Sequence, residues 1–180
     1  MQNVLDKFNM KGRTVLVTGG GGLLGRQFAL ALAQAGADVM LADLAYEAAA
    51  DQAEVIRAEG LSAAALAVDV VDPESTREMV QQTLARFGRL DVLINSAALD
   101  PKFDPQHQSE QAANAFETYS LEAWRKALDV NLTGMFLASQ AAVQPMLAQS
   151  QGVIINICST YGLNGPDQRI YSRPDSTQSY

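Results

Sequence analysis

The sequence predicts an α/β fold, a doubly wound parallel sheet with helices in layers on both faces (α/β/α), and two observations carry that prediction. Short apolar runs recur along the 180 residues, each closed by glycine or a polar residue, and between them lie longer segments whose apolar residues return at helical spacing. Runs without polar alternation suit strands buried on both faces, as in a parallel sheet, and strands alternating with helices imply right-handed crossovers. At this length the chain is expected to be one domain, residues 1–180.

Val15 to Val17 form the first run, bounded by glycine. Leu24, Phe28, Leu32 and Ala35 then recur at helical spacing until Gly36 ends the pattern. Val39, Met40 and Leu41 make the second strand, ending at Asp43, and Ala49, Ala53 and Ile56 mark a helix closed by Gly60. Ala64 to Val68 reads as the third strand. Asp72-Pro73 is a helix start, an N-cap acid followed by proline at the first helical position. Val80, Leu84 and Phe87 make that helix's apolar stripe, and Gly88 stops it. Asp91 to Ile94 is the fourth strand. Residues 99–119, with Pro101 and Pro105, read as a loop. Ser120 caps a helix through Trp124 and Leu128, a longer helix with a kink at Pro145 follows Asn131, and Val153 to Ile157 is the fifth strand. From Thr160 to Tyr180 the pattern is loop-like.

Composition removes several classes of function. A net charge of −7 argues against nucleic acid, whose phosphates attract basic faces, and no polybasic segment offers itself to a membrane surface. No stretch approaches the ~20 apolar residues that span a bilayer, and the N-terminus MQNVLDKFNMKGR carries an acid and lacks the apolar core of a signal peptide. A cytoplasmic protein is the expectation. One cysteine, Cys158, excludes an internal disulfide, and one histidine, His107, excludes a His-based zinc site and a Ser-His-Asp triad. Cys158 is expected to be a small buried hydrophobe at a strand end.

The stretch TVLVTGGGGLLGRQF sets four glycines between the first strand and the first helix. Glycine there permits backbone angles closed to other residues and lets a pyrophosphate approach the main chain, while the helix N-terminus offers unpaired N–H groups to the anion. Glycines alone fit equally a tight turn without ligand. Asp43, at the end of the second strand, points to the dinucleotide, because a carboxylate there accepts from a ribose diol and repels the extra phosphate of NADP. No lysine or arginine stands at 20–24 or 44–46 to offset that repulsion, and Arg26, at the start of the helix, has both solvent and site within reach. NAD is expected over NADP.

In five segments, in order along the chain, the sequence resembles the short-chain dehydrogenase/reductase family, whose domain is a Rossmann fold. The segments are Thr18-Gly19 through Gly25, Asp69-Val70, Leu90 through Ala98 (LDVLINSAA), Asn131 through Gly134 (NLTG) and Ile155 through Ser159 (INICS). The resemblance runs from about Arg13 to about Gly162. It implies an NAD-dependent oxidoreductase that moves a hydride between nicotinamide and a secondary alcohol or ketone. Gly19, Gly21, Gly22, Leu24, Gly25, Asp43, Leu44, Asp69, Val70, Asn95, Ser96 and Ala97 would then line the cofactor, with Asp69 and Val70 bordering adenine and Asn95 tying neighbouring strands together. Asn131 would be the family's helix-kinking asparagine, holding a water of the proton relay, and Ser159 would hydrogen-bond the substrate oxygen. The family's dimers and tetramers imply a homo-oligomer for the complete protein.

The sequence departs from the family in places. Leu23 stands where the short form has glycine, so TGGGGLLG matches the spacing TGxxGxxG of the extended form, which includes sugar-nucleotide epimerases and dehydratases. Ser96 and Ala98 replace the second Asn and the Gly of NNAG, and Cys158 stands where a serine often precedes the catalytic one. The general acid–base of the family is a tyrosine with a lysine four residues later, and here the last lysine is Lys126. Tyr171 has Asp175 at the lysine's position, and a carboxylate would raise a phenol's pKa. The expectation is therefore a chain that stops before the YxxxK segment, leaving the fifth strand as a sheet edge with an open apolar face. Two further readings stay open, a non-catalytic NAD(H)-binding module and an extended-type epimerase or dehydratase, beside a flavodoxin-like domain without nucleotide.

Overall fold

The computed structural model describes residues 4–99 and 119–165. Among these residues five strands form one parallel sheet: β1 (Thr14–Thr18), β2 (Asp38–Asp43), β3 (Ala63–Ala67), β4 (Val92–Asn95) and β5 (Val153–Asn156), in the order β3-β2-β1-β4-β5. The crossovers are α1 (Leu23–Gln34), α2 (Tyr46–Ala58), α3 (Pro73–Phe87) and the continuous pair α4 (Leu121–Leu128) and α5 (Gly134–Ala148). The order reverses at β1, so the connections leaving the paired carboxyl ends of β1 and β4 lead to helices on opposite faces of the sheet, the switch point at which open α/β sheets take ligands. The parallel sheet and its order are those of a doubly wound fold, as the strand–helix alternation requires. No helix among the described residues is long and apolar enough to cross a membrane.

Two apolar layers enclose the sheet. On one face Leu16, Met40, Leu66, Leu93, Ala138 and Ala142 join α3 and α5 to the strands. On the other, Val15, Val17, Val39, Leu41, Ala29, Ala33, Ala53 and Ile56 join α1 and α2 to them. Every residue of β1 is buried, which explains why its sequence shows no alternation.

Local signals place most boundaries. Asp72 caps α3 by accepting from the Glu74 N–H at 2.8 Å, Ser120 caps α4 by accepting from the Ala123 N–H, and Gly88 closes α3 at φ +79°. The face of α1 is different from the one its large residues predict. Gly25, Ala29 and Ala33 are buried, whereas Leu24 is 52% exposed and Phe28 and Leu32 only flank the core. The reason is distance: a Cβ on Gly25 would stand 2.0 Å from the Gly19 carbonyl oxygen, so this helix packs too close to the turn for anything but small residues. The helical irregularity also falls elsewhere than on Pro145 alone. Residues Asp129–Thr133, centred on Asn131, form a π-turn between α4 and α5, and α5 runs past Pro145 to Ala148.

A polar clamp fixes the amino ends of the strands. Asp91, 3% exposed, accepts from the Thr14 N–H at 2.9 Å, from Arg13 at 2.9 Å and from Arg89 at 2.6 and 2.7 Å. Burial by itself would raise this carboxyl, but the hydrogen bonds from Arg89, Thr14 and Arg13 outweigh it and hold the pKa below the usual carboxylate value. Arg13 also donates to the Gln151 side chain, and the Gln149 amide bonds both backbone groups of Leu90, tying the approach to β5 against β4.

Among the described residues β3 and β5 are the two edges of the sheet, and in β5 Val153 is 53% and Ile155 42% exposed. Cys158 just beyond it is exposed as well, contrary to the buried position expected of it, because an edge strand leaves its continuation uncovered.

Candidate functional site

The glycine turn is rigid, and packing alone demands most of its glycines. Gly19 has φ +68°, and a Cβ there would meet Ala97 at 2.8 Å; side chains on Gly20 and Gly21 would strike Leu41 of β2 and Ala48 of α2. The turn consumes three of its own donors. Gly20 N–H bonds the Ala42 carbonyl, Gly22 N–H bonds the Gly19 carbonyl, and Gly21 N–H donates to Asp43 Oδ2 at 2.9 Å. The next backbone bond belongs to Arg26, which donates to Gly22. The N–H groups of Leu23, Leu24 and Gly25 therefore find no acceptor among the described residues, and they point along the α1 axis where the helix dipole is positive. Three converging donors and a positive dipole end suit a pyrophosphate.

Asp43 is half-buried at the carboxyl end of β2, its Oδ1 accepting from Ala45 N–H at 3.0 Å and its Oδ2 from Gly21. Each bond uses one lone pair and orients the carboxylate beside the turn, with acceptor capacity left over. Leu44, 76% exposed, follows it. Asp69 is exposed and turns one oxygen onto the Val71 N–H, whereas Val70 is 8% exposed and wedged against α5, where a Cβ on Gly134 would meet it at 2.8 Å. Of the two expected adenine neighbours, Asp69 is presented to solvent and Val70 is a core residue.

Beyond β4, Thr18 Oγ1 accepts from the N–H groups of Ser96 and Ala97 at 3.2 and 3.3 Å, joining the ends of β1 and β4. Asn95, 1% exposed, donates through Nδ2 to Ser139 of α5 at 3.0 Å and to Asn156 of β5 at 2.8 Å, so it does tie β4 to its neighbours. Its Oδ1 has no partner among the described residues. Asn131 spends both ends of its amide on Leu99, accepting from its N–H at 2.7 Å and donating to its carbonyl at 3.0 Å. The π-turn thus pins the segment leaving β4. Ser159 is exposed, its Oγ accepting from the Tyr161 N–H at 3.1 Å. No hydrogen bond among the described residues joins Ser159 to Asn131. Tyr171, Asp175, His107 and most of the 99–119 segment lie outside the described residues.

The roles of Thr18, Ser139 and Asn156 escape sequence reasoning. Thr18 and Asn156 close strands, a position that could have flagged them, but Ser139 sits mid-helix with no local signal. Arg26 is exposed but tethered to the turn, its Nε donating to the Gly21 carbonyl at 2.6 Å.

A tight glycine turn with free donors and an oriented acid thus meet at the switch point of a doubly wound sheet, the place where such sheets take ligands. The chain's kinship is specific. Residues 13–172 match the family model described as short chain dehydrogenase. A short chain dehydrogenase/reductase of Macrophomina phaseolina is 36% identical over 84% of this chain and 82% of its own length. A cyclohexanol dehydrogenase of an Acinetobacter strain is 34% identical over 89% of this chain, and an oxidoreductase of Thermotoga maritima 34% over 91%. Among solved structures, a short-chain type dehydrogenase/reductase from Mycobacterium marinum superposes with TM-score 0.80 at 31% identity, covering 92% of this chain and 64% of that one. An NAD+-bound xylitol dehydrogenase superposes with TM-score 0.76 at 30% identity, covering 87% and 56%. The chain belongs to the short-chain dehydrogenase/reductase family. It spans about 60% of the length of the Thermotoga and Acinetobacter relatives.

Proposed function

We propose that the protein is an NAD-dependent oxidoreductase that interconverts a secondary alcohol and a ketone. One observation carries the cofactor: the open N–H groups of Leu23, Leu24 and Gly25 stand beside an Asp43 carboxylate whose orientation Gly21 and Ala45 fix. The donors fit a pyrophosphate and the acid fits an unphosphorylated ribose diol, so NAD is preferred over NADP. Bound NAD supplies the hydride acceptor. In this reading Gly19, Gly21 and Gly22 shape the cradle, Leu44 and Asp69 flank the adenine side, and Asn95, Ser96 and Ala97 hold the β4 end against the β1 end. Ser159 Oγ hydrogen-bonds the substrate oxygen, and Asn131 sets the position of the 99 backbone beside it. The Acinetobacter relative's name and the bound NAD+ of the xylitol dehydrogenase support an alcohol substrate and this cofactor. A homo-oligomer in the cytoplasm accompanies the reading.

One second reading is weighed against it, NAD(H) binding without turnover. The two are separated by mixing protein, NAD and a panel of cyclic and polyhydric secondary alcohols and following the near-ultraviolet absorbance of reduced nicotinamide. Oxidation that falls about 10²-fold in Ser159→Ala, with NADH affinity retained, is expected for the enzyme. Binding with no turnover on any alcohol supports the second reading, and no binding refutes both.

A further inference from the structure

Arg26 holds a position that neither the glycine turn nor the helix requires. It is exposed on the first turn of α1, where helical side chains lean toward the N-terminus, and its Nε reaches back to the Gly21 carbonyl at 2.6 Å. That bond immobilises the guanidinium while occupying only one of its five donors. The Nη groups find no acceptor among the described residues, and no ion pair joins Arg26 to Asp43 although both flank Gly21. A planar, permanently charged fork is thereby tethered at the same opening as the free N–H groups of Leu23, Leu24 and Gly25. An arginine free to choose would extend to water, because a single exposed hydrogen bond barely offsets its side-chain entropy. A fork held ready beside unsatisfied donors suits a phosphate oxygen, which it can bind by charge-assisted bonds.

We propose that Arg26 is a phosphate-binding residue of this site, its Nη groups contacting a phosphate of the dinucleotide while Nε stays on Gly21. The inference rests on the dinucleotide reading above and adds to it a cation that answers the Asp43 carboxylate. Two phosphates could be its partner, the pyrophosphate common to both cofactors or the 2′-phosphate of NADP, and the chemistry at Arg26 is the same.

The test compares Arg26→Gln and Arg26→Lys with the unaltered chain by equilibrium titration of NADH, NADPH and adenosine at low and high salt. About a tenfold loss of affinity in Arg26→Gln is expected, smaller in Arg26→Lys, with a shallower salt dependence and unchanged adenosine binding. An equal loss for NADH and NADPH assigns the contact to the pyrophosphate, and a loss confined to NADPH assigns it to the 2′-phosphate. Unchanged affinity for both dinucleotides, or adenosine weakened by the same factor, overturns the proposal, the latter because Arg26 would then only support the turn. Failure of the unaltered chain to bind either dinucleotide defeats the cofactor reading itself, a different result from an Arg26→Gln chain that binds normally.

Discussion

Ile94 and Ile155 are partners in one parallel register, yet Ile94 is 4% exposed and Ile155 42%. They stand for two halves of the molecule. The half built on β1, β2 and β3 is closed by α1, α2 and α3, and its turn is so tight that a single added carbon would strike backbone. In the half that ends in β5, Val153, Ile155, Cys158 and Ser159 are exposed among the described residues. The glycine-turn side is thus fixed by dense packing on both faces, whereas the β5 side is held by one strand pairing, by packing against α5, and by polar ties from Asn95 to Asn156, Gln149 to Leu90 and Asn131 to Leu99.

Paired substitutions can break that contrast. The largest difference is expected between two glycines. Gly25→Ala places a carbon against the Gly19 oxygen and should cost about 3 kcal/mol or more, whereas Gly162→Ala, with no atom within 4 Å, should stay within about 0.5 kcal/mol. Urea unfolding of the two variants measures both, and similar losses would erase the distinction. Next come the isoleucines: Ile94→Ala should lose about 3 kcal/mol and Ile155→Ala under about 1, since only the first leaves a cavity.

The clamp at the amino ends of the strands sharpens the comparison through pH. The Asp91 carboxyl has a folded-state pKa below its unfolded value, so its contribution is complete above the unfolded pKa and is lost as pH falls through the folded one. Acid should therefore weaken the chain below about pH 4, and Asp91→Asn should be about 2 kcal/mol less stable at neutral pH with a flatter acid limb. An unchanged limb would show that other carboxyls carry it. Asp72→Ala should cost about 1 kcal/mol for the lost cap on the Glu74 N–H, read from the same unfolding curves.

What was legible in the sequence follows the same division. Asp72-Pro73, Gly88, Ser120 and the apolar runs of the strands are local signals, and they place the elements because capping and strand burial act over a few residues. The stripe of α1 misleads because its large residues, Leu24 and Phe28, are the ones that close approach excludes from the interface. In the site, Asp43 and the glycines are legible by position. The Arg26 tether, the Thr18 bridge and the Asn95–Ser139 bond are contacts set by folding, and no spacing in the sequence encodes them.

The central claim is that the carboxyl ends of β1 and β2 form a dinucleotide site that Asp43 biases toward NAD. The direct measurement is a calorimetric titration of the chain with NADH and with NADPH, repeated on Asp43→Asn. NADH should bind at least about tenfold more tightly, and the substitution should narrow that gap by removing the charge that repels the 2′-phosphate. Tighter binding of NADPH to the unaltered chain, or a gap indifferent to Asp43, would contradict it.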